Sequence, residues 1–170
     1  MSLDRKTPLK RTGGPKRKTE MKRKPTKRKR RPPGVGCTAL TLNGKSCRQN
    51  RMEGYTTCPT HTADALCADW IFRRDKSTCR RCHRPGKRGL HDLHWAHLYS
   101  RRYKLVRWNP LNSMALCAGC HFWQTNNPLE GEEFFVDQIG DTAWLGLRKL
   151  ALGDEKPNPA KWIEFYTEKP

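Results

Sequence analysis

Two cysteine pairs with one spacing, Cys79-x2-Cys82 and Cys117-x2-Cys120, stand 34 residues apart in this chain. Each pair fits a tight turn, and four thiolates from two such turns can surround Zn2+ tetrahedrally, the usual form of a structural zinc site. Upstream, Cys37-x9-Cys47-x10-Cys58-x2-His61 offers three thiolates and an imidazole, and is expected to bind a second zinc. Between the knuckles lies "HDLHWAHLYSRR", residues 91–102, which places His91, His94 and His97 just before Arg101 and Arg102. His121 follows the second knuckle directly. A neutral imidazole titrating near pH 6.5 can accept a proton from water or ligate a cation, and paired arginines can clamp phosphate. A plain zinc ribbon has no need of the insert that carries these groups.

The elements that must position them can be read coarsely. Residues 62–75, "TADALCADWIFRRD", have a helical pattern, with Thr62 as a cap and Leu66, Cys67, Trp70 and Ile71 on one face. Cys67 is then a core thiol. A hairpin is expected through the histidines and a helix from about residue 120, which would put His97 on a strand and His121 in the first helical turn. Residues 128–151 read as helical turns, started by Pro128 and interrupted by Gly140. Phe134, Phe135, Ile139, Trp144, Leu145, Leu147 and Leu150 supply apolar cover there, and Trp108, Phe122 and Trp123 are expected in the core. The final "AKWIEFYTEKP" either docks an aromatic patch or frays.

Charge points to the partner. The chain has 170 residues and a formal net charge of +19, and residues 1–36 hold fifteen Lys or Arg against Asp4 and Glu20, so thirteen of the nineteen charges lie there. That stretch has almost no apolar residues and loosely repeats "TPLKRT", "PKRKTEMKRK" and "PTKRKR". Such a composition cannot offset ordering entropy by burial, so a disordered arm that tracks a phosphate backbone is expected. "KRKPTKRKRR" equally fits a nuclear localisation signal, and a solubilising tail is the plainer alternative. The basic runs lack interleaved apolar residues, which favours DNA or RNA over a membrane surface. Residues 1–20 hold no apolar run of signal-peptide length, so a reducing, cytoplasmic setting is expected, where paired cysteines bind zinc more often than each other.

At this point the residues resemble a known family. His97, then Asn112, then "MALCAGCH" ending at His121 is similar to the HNH endonucleases, whose core is a ββα-metal unit. "HWAHLYSRRYKLVRWNPLNSMALCAGCH", with "TNNPLE" and "DQIGDTAWLGLRKL", looks like phage HNH proteins and the lambdoid NinG (Rap) recombination nucleases, as does the "TPLKRT" opening. The resemblance spans roughly residues 62–151. "CTALTLNGKSCRQNRMEGYTTCPTH" resembles a small zinc finger of phage and bacterial proteins.

The resemblance implies a small α+β fold: a zinc-stabilised ββα-metal core with flanking helices over 62–151, preceded by a zinc finger of three cysteines and one histidine over 37–61 and the basic arm over 1–36, with a tail over 152–170. It implies His97 as general base, Asn112 as the brace of the loop that orients it, and His121 as first ligand of a catalytic divalent cation, Mg2+, Mn2+ or another. It also implies a bacterial, nucleoid-associated setting and a DNA target, branched or single-stranded DNA included. The chain departs from the family pattern at Ala96, where many members carry an acidic ligand. His94 is the favoured substitute, with His91 and Asp92 as alternatives. A site poor in carboxylates is expected to hold Mg2+ weakly and to favour Mn2+, Ni2+ or Zn2+. The alternative is a non-catalytic, zinc-containing nucleic-acid-binding module with a degenerate site. No stretch reads as a base-specific recognition helix, and the oligomeric state stays open.

Overall fold

The structure is a computed structural model that describes residues 34–40 and 43–168. The basic arm expected over 1–36 lies almost wholly outside the described residues. The elements run α1 (Pro59–Arg74), β1 (Leu93–His97), a 3-10 turn (Pro110–Asn112), β2 (Ser113–Cys117), α2 (Ala118–Asn126), α3 (Pro128–Ile139), α4 (Asp141–Ala151) and α5 (Pro159–Glu168). This is a small α+β fold with five helices and one two-stranded antiparallel sheet among the described residues. Among the described residues no helix is long and apolar enough to cross a membrane.

The described residues between 34 and 58 form no full strand. They are held by isolated bridges, Gly36 to Asn50 and Leu40 to Ser46, and by backbone bonds such as Cys37 N to Gln49 O at 3.0 Å. Gly44 and Gly54 take positive φ of 69° and 75° at turns, as their lack of a Cβ permits. So little apolar burial leaves the stretch dependent on a staple, which its cysteines can supply.

α1 begins earlier than the pattern suggested. Cys58, not Thr62, is its N-cap, with Pro59 in the first turn, so His61 sits in that turn. Thr62 is buried inside the helix and its hydroxyl meets that of Thr57 at 2.7 Å. The C-terminal end of α1 is tied to the sheet. The buried Asp75 carboxylate accepts from Ala115 N at 2.8 Å and from Arg74 Nε at 2.8 Å, while the Arg74 guanidinium donates to Pro110 O and Ser113 O.

β1 and β2 pair with His97 opposite Ser113, Ala96 opposite Met114 and His94 opposite Leu116. Every residue of β2 is buried. Leu93, Ala96, Leu116, Phe72 and Phe135 meet in one core that continues through Cys79, Cys117 and Cys120. A second core holds Cys67, Ile71 and Trp108, and α5 packs onto it with Ile163 and Tyr166. Tyr166 donates to Trp108 O and contacts Cys67 Sγ, so the C-terminal aromatic stretch docks. Pro128 opens α3, and Gly140, at φ 84°, separates α3 from α4. Among the aromatics expected inside, Trp108 is 2% exposed whereas Phe122 is 72% exposed. Phe122 faces away because α2 turns its other side, with Cys120 and Gln124, toward the strands.

Candidate active site

The two cysteine sets converge as their spacing requires. The metal-binding atoms of Cys79, Cys82, Cys117 and Cys120 all lie within 4.8 Å of one another, as do those of Cys37, Cys47, Cys58 and His61. Four sulfurs about 2.3 Å from one zinc stand about 3.8 Å apart. Cys82 and Cys117 Sγ are 3.6 Å apart, while His61 Nδ1 is 3.2 Å from Cys58 Sγ and 3.4 Å from Cys37 Sγ. Both groups can hold zinc.

Local electrostatics favour a thiolate at one cysteine of each set, Cys79 and Cys37, and oppose it at Cys58, Cys82 and Cys120, whose thiols are pushed up. Burial alone would push the Cys79 thiol up, but backbone amides of Cys82, Cys117 and Arg81 outweigh it and bring it to about 7. Cys37 is likewise brought to about 7, with burial opposed by the amides of Cys58 and Ala39 and by the His61 side chain. Cys117 caps α2, accepting from Cys120 N at 3.5 Å, where the helix N-terminus favours negative charge. Arg81 lies 3.6 Å over the Trp123 ring and donates to Cys120 Sγ, putting a cation against a group that four thiolates would make net negative. Cys67 lies outside both sets, and burial raises its thiol to about 12.

The four-cysteine group sits where β1, β2 and α2 meet, and this decides where the histidines go. His94 on β1 and His121 in the first turn of α2 face each other, Nδ1 to Nδ1, at 2.9 Å, with rings nearly perpendicular. His94 Nε2 lies 2.6 Å from Leu90 O. A carbonyl can only accept, so Nε2 carries a proton, and a neutral ring in this position has its lone pair at Nδ1. His121 can donate to that lone pair, or both nitrogens can turn lone pairs to one cation. Two nitrogens in neighbouring positions about 2.1 Å from an octahedral ion stand about 3.0 Å apart, so the pair fits a shared divalent ion. The Leu90 carbonyl then holds the ring of His94 as metal-bound histidines are usually held. Burial, then the charge of His94, keeps the His121 imidazole below its ordinary value.

His121 also lines a cavity of about 450 Å³ whose wall includes His97, Trp95, Arg101, Gln124, Thr125 and Glu132. His97 Nε2 is buried with no hydrogen-bond partner, its ring 4.3 Å from that of Trp95. Burial first, then the nearby Arg101 charge, drives its pKa down to about 3, so the ring is neutral through the physiological range.

Asn112 does not enter the cavity. It is fully buried and braces the long β1–β2 connection: Nδ2 donates to Tyr99 O and Val106 O at 3.0 Å each, and Oδ1 accepts from Tyr99 N at 2.8 Å. Arg101 is on the cavity wall; Arg102 is exposed beside it and does not line the cavity. His91 and His83 are exposed. Asp92 is engaged elsewhere, accepting from Lys87 N at 2.6 Å and Arg84 Nη2 at 3.0 Å.

No family model, curated protein or solved structure matches this chain. The site therefore rests on its own geometry, and that geometry adds residues that the sequence reading passed over. Gln124 donates to His97 O at 2.9 Å, and Glu132 brings a carboxylate to the cavity from α3. Gln124 lies one helical turn beyond His121, a spacing visible in the sequence. Nothing in the sequence marked Glu132, which becomes a neighbour only when α3 folds back on α2.

Proposed function

We propose that this protein is a metal-dependent HNH-type endonuclease that hydrolyses DNA phosphodiesters to 5′-phosphate and 3′-hydroxyl ends. The observation that carries this reading is His121, which faces His94 at 2.9 Å and shares one cavity with His97, whose buried Nε2 has no hydrogen-bond partner. His97 is the general base, taking a proton from the attacking water. Its free-state basicity is low, and an anionic phosphodiester entering the cavity favours the imidazolium and strengthens the base when substrate is present. Arg101 meets a phosphate oxygen, Arg102 a flanking phosphate, and Asn112 keeps the 98–106 segment from shifting the base.

His94 and His121 would hold the divalent cation. When bound, it supplies several kcal/mol of charge stabilisation to the pentacoordinate phosphate. The zinc groups are structural, and the basic arm supplies sequence-independent affinity for DNA. A place in phage recombination or genome processing follows from the NinG resemblance.

The second reading is a nucleic-acid-binding zinc module without catalysis, favoured by Ala96, buried and apolar where family members carry an acid. Plasmid nicking separates the two. Purified protein with Mg2+ or Mn2+ is expected to nick supercoiled DNA, and His97→Ala to lower the rate about 10²–10⁴-fold while keeping zinc and DNA binding. Equal rates in the variant and the parent protein would leave the binding module as the better account.

A further inference from the structure

The acid missing at Ala96 has a counterpart that is far away in sequence. Glu132, on α3, is the acidic residue among those lining the cavity with His97, His121 and Arg101. Its position depends on Gly131. A Cβ there would lie 2.9 Å from Gln124 Cγ and 3.2 Å from Gln124 O, so only glycine lets α3 press this closely on α2, one turn beyond His121. The carboxylate is held in place, since Oε1 accepts from Trp144 Nε1 of α4 at 3.0 Å. Trp144 thus fixes one oxygen and orients the group, in the way that outer partners orient ligands around a metal.

Among the described residues only the two cysteine groups bring three or more such donors within 4.8 Å, so Glu132 does not close a compact triad with the histidine pair. It shares a cavity with His121, while His94 meets His121 from outside that lining. Mg2+ and Mn2+ keep several waters when bound, and a carboxylate beyond direct bonding distance can act on those waters. Two imidazoles alone favour Ni2+ or Zn2+, whereas an added carboxylate favours the harder, more hydrated ions.

We infer that Glu132 is the cation-selecting carboxylate of the site, holding the hydration shell of a divalent ion bound by His94 and His121 and so biasing the cavity toward Mg2+ and Mn2+. The inference rests on the endonuclease reading. It differs from the expectation, drawn from Ala96, of a site that holds Mg2+ weakly and favours Mn2+, Ni2+ or Zn2+.

The test uses the full-length, zinc-loaded protein and the variants Glu132→Gln, Glu132→Asp and His97→Ala. Glutamine keeps an acceptor for Trp144 and removes only the charge. Mn2+ binding is read directly from the electron paramagnetic resonance of free Mn2+, and plasmid nicking is run in parallel with Mn2+ and Ni2+. Glu132→Gln is expected to weaken Mn2+ binding about tenfold. It also shifts the nicking preference from Mn2+ toward Ni2+, and Glu132→Asp restores much of the Mn2+ affinity. Unchanged Mn2+ binding and unchanged metal preference in Glu132→Gln overturn the inference while His97-dependent nicking stands. If the parent protein does not nick, or nicks independently of His97, the endonuclease reading fails instead, and the Mn2+ titration still decides the role of Glu132.

Discussion

His94 and His121, 27 residues apart, are joined Nδ1 to Nδ1 at 2.9 Å across the seam between a strand and a helix. Neither element buries enough of its own to fix that distance. The four-cysteine group beside them does so, with Cys79 and Cys82 on one turn and Cys117 and Cys120 at the end of β2 and the start of α2.

If the pair is a cation site, each ring is indispensable to it and neither is needed for zinc. His94→Ala and His121→Ala should each lower Mn2+ affinity by about 100-fold or more, since even outer partners of a metal ligand contribute 10–100-fold. Both variants should retain two zinc ions per chain, measured by elemental analysis. Isothermal titration that finds Mn2+ binding undiminished in both would remove the pair from the site.

The thiolate groups should behave as folding elements. Cys79→Ser or Cys117→Ser should lose one zinc and the cooperative unfolding of the sheet, because metal binding and folding are one free energy in such sites. Cys67→Ala should keep both zincs and cost about 1–3 kcal/mol, the range for a small buried side chain that also contacts Tyr166. Metal content and thermal melts distinguish the two classes, and zinc loss in Cys67→Ala would contradict the division of cysteines drawn here.

His97 sets a pH dependence of known sign. Its folded pKa, about 3, is below the ordinary 6.5, so the unfolded chain binds the proton more readily and stability falls as pH drops from about 6.5 toward 3. The slope approaches about 1.4 kcal/mol per pH unit for this one group. Between pH 7 and pH 5 the parent protein should therefore lose about 1–2 kcal/mol more than His97→Gln, read from urea midpoints at the two pH values. Parallel losses would place the acid sensitivity in other groups.

Asn112 is predicted to matter through position. Truncation to alanine removes the side-chain partner of Tyr99 N and Tyr99 O and one of the two donors to Val106 O, which keeps Asn109 N, and should cost about 2–4 kcal/mol. Nicking by the folded fraction should fall through a changed turnover and not through lost Mn2+ binding. A variant as stable as the parent protein would mean that the connection is held by something other than this side chain.

Much of this was legible in the chain. Repeated Cys-x2-Cys spacing needs no tertiary information, because a tight turn brings its two sulfurs together wherever it occurs. The helix breaks at Pro128 and Gly140 were likewise readable, since a fixed φ and an accessible positive φ act locally. The start of α1 was misplaced because Thr62 has the chemistry of a cap, yet the proline at position 59 allows the helix to begin beside a zinc ligand. Phe122 was misjudged because its apolar character says nothing about which face of α2 meets the strands.

What the sequence determined alone is therefore the local chemistry: two sets of thiolate ligands, a row of histidines and a strongly basic N-terminal stretch. The tertiary structure decided which groups meet: His94 with His121, His97 in the cavity that His121 lines, Asp75 on Ala115, and Glu132 from a helix without any motif of its own. The physical reason is range. Ligand spacing, caps and turns act within a few residues, whereas the approach of α3 to α2 at Gly131 depends on side-chain packing between elements that a linear pattern does not record.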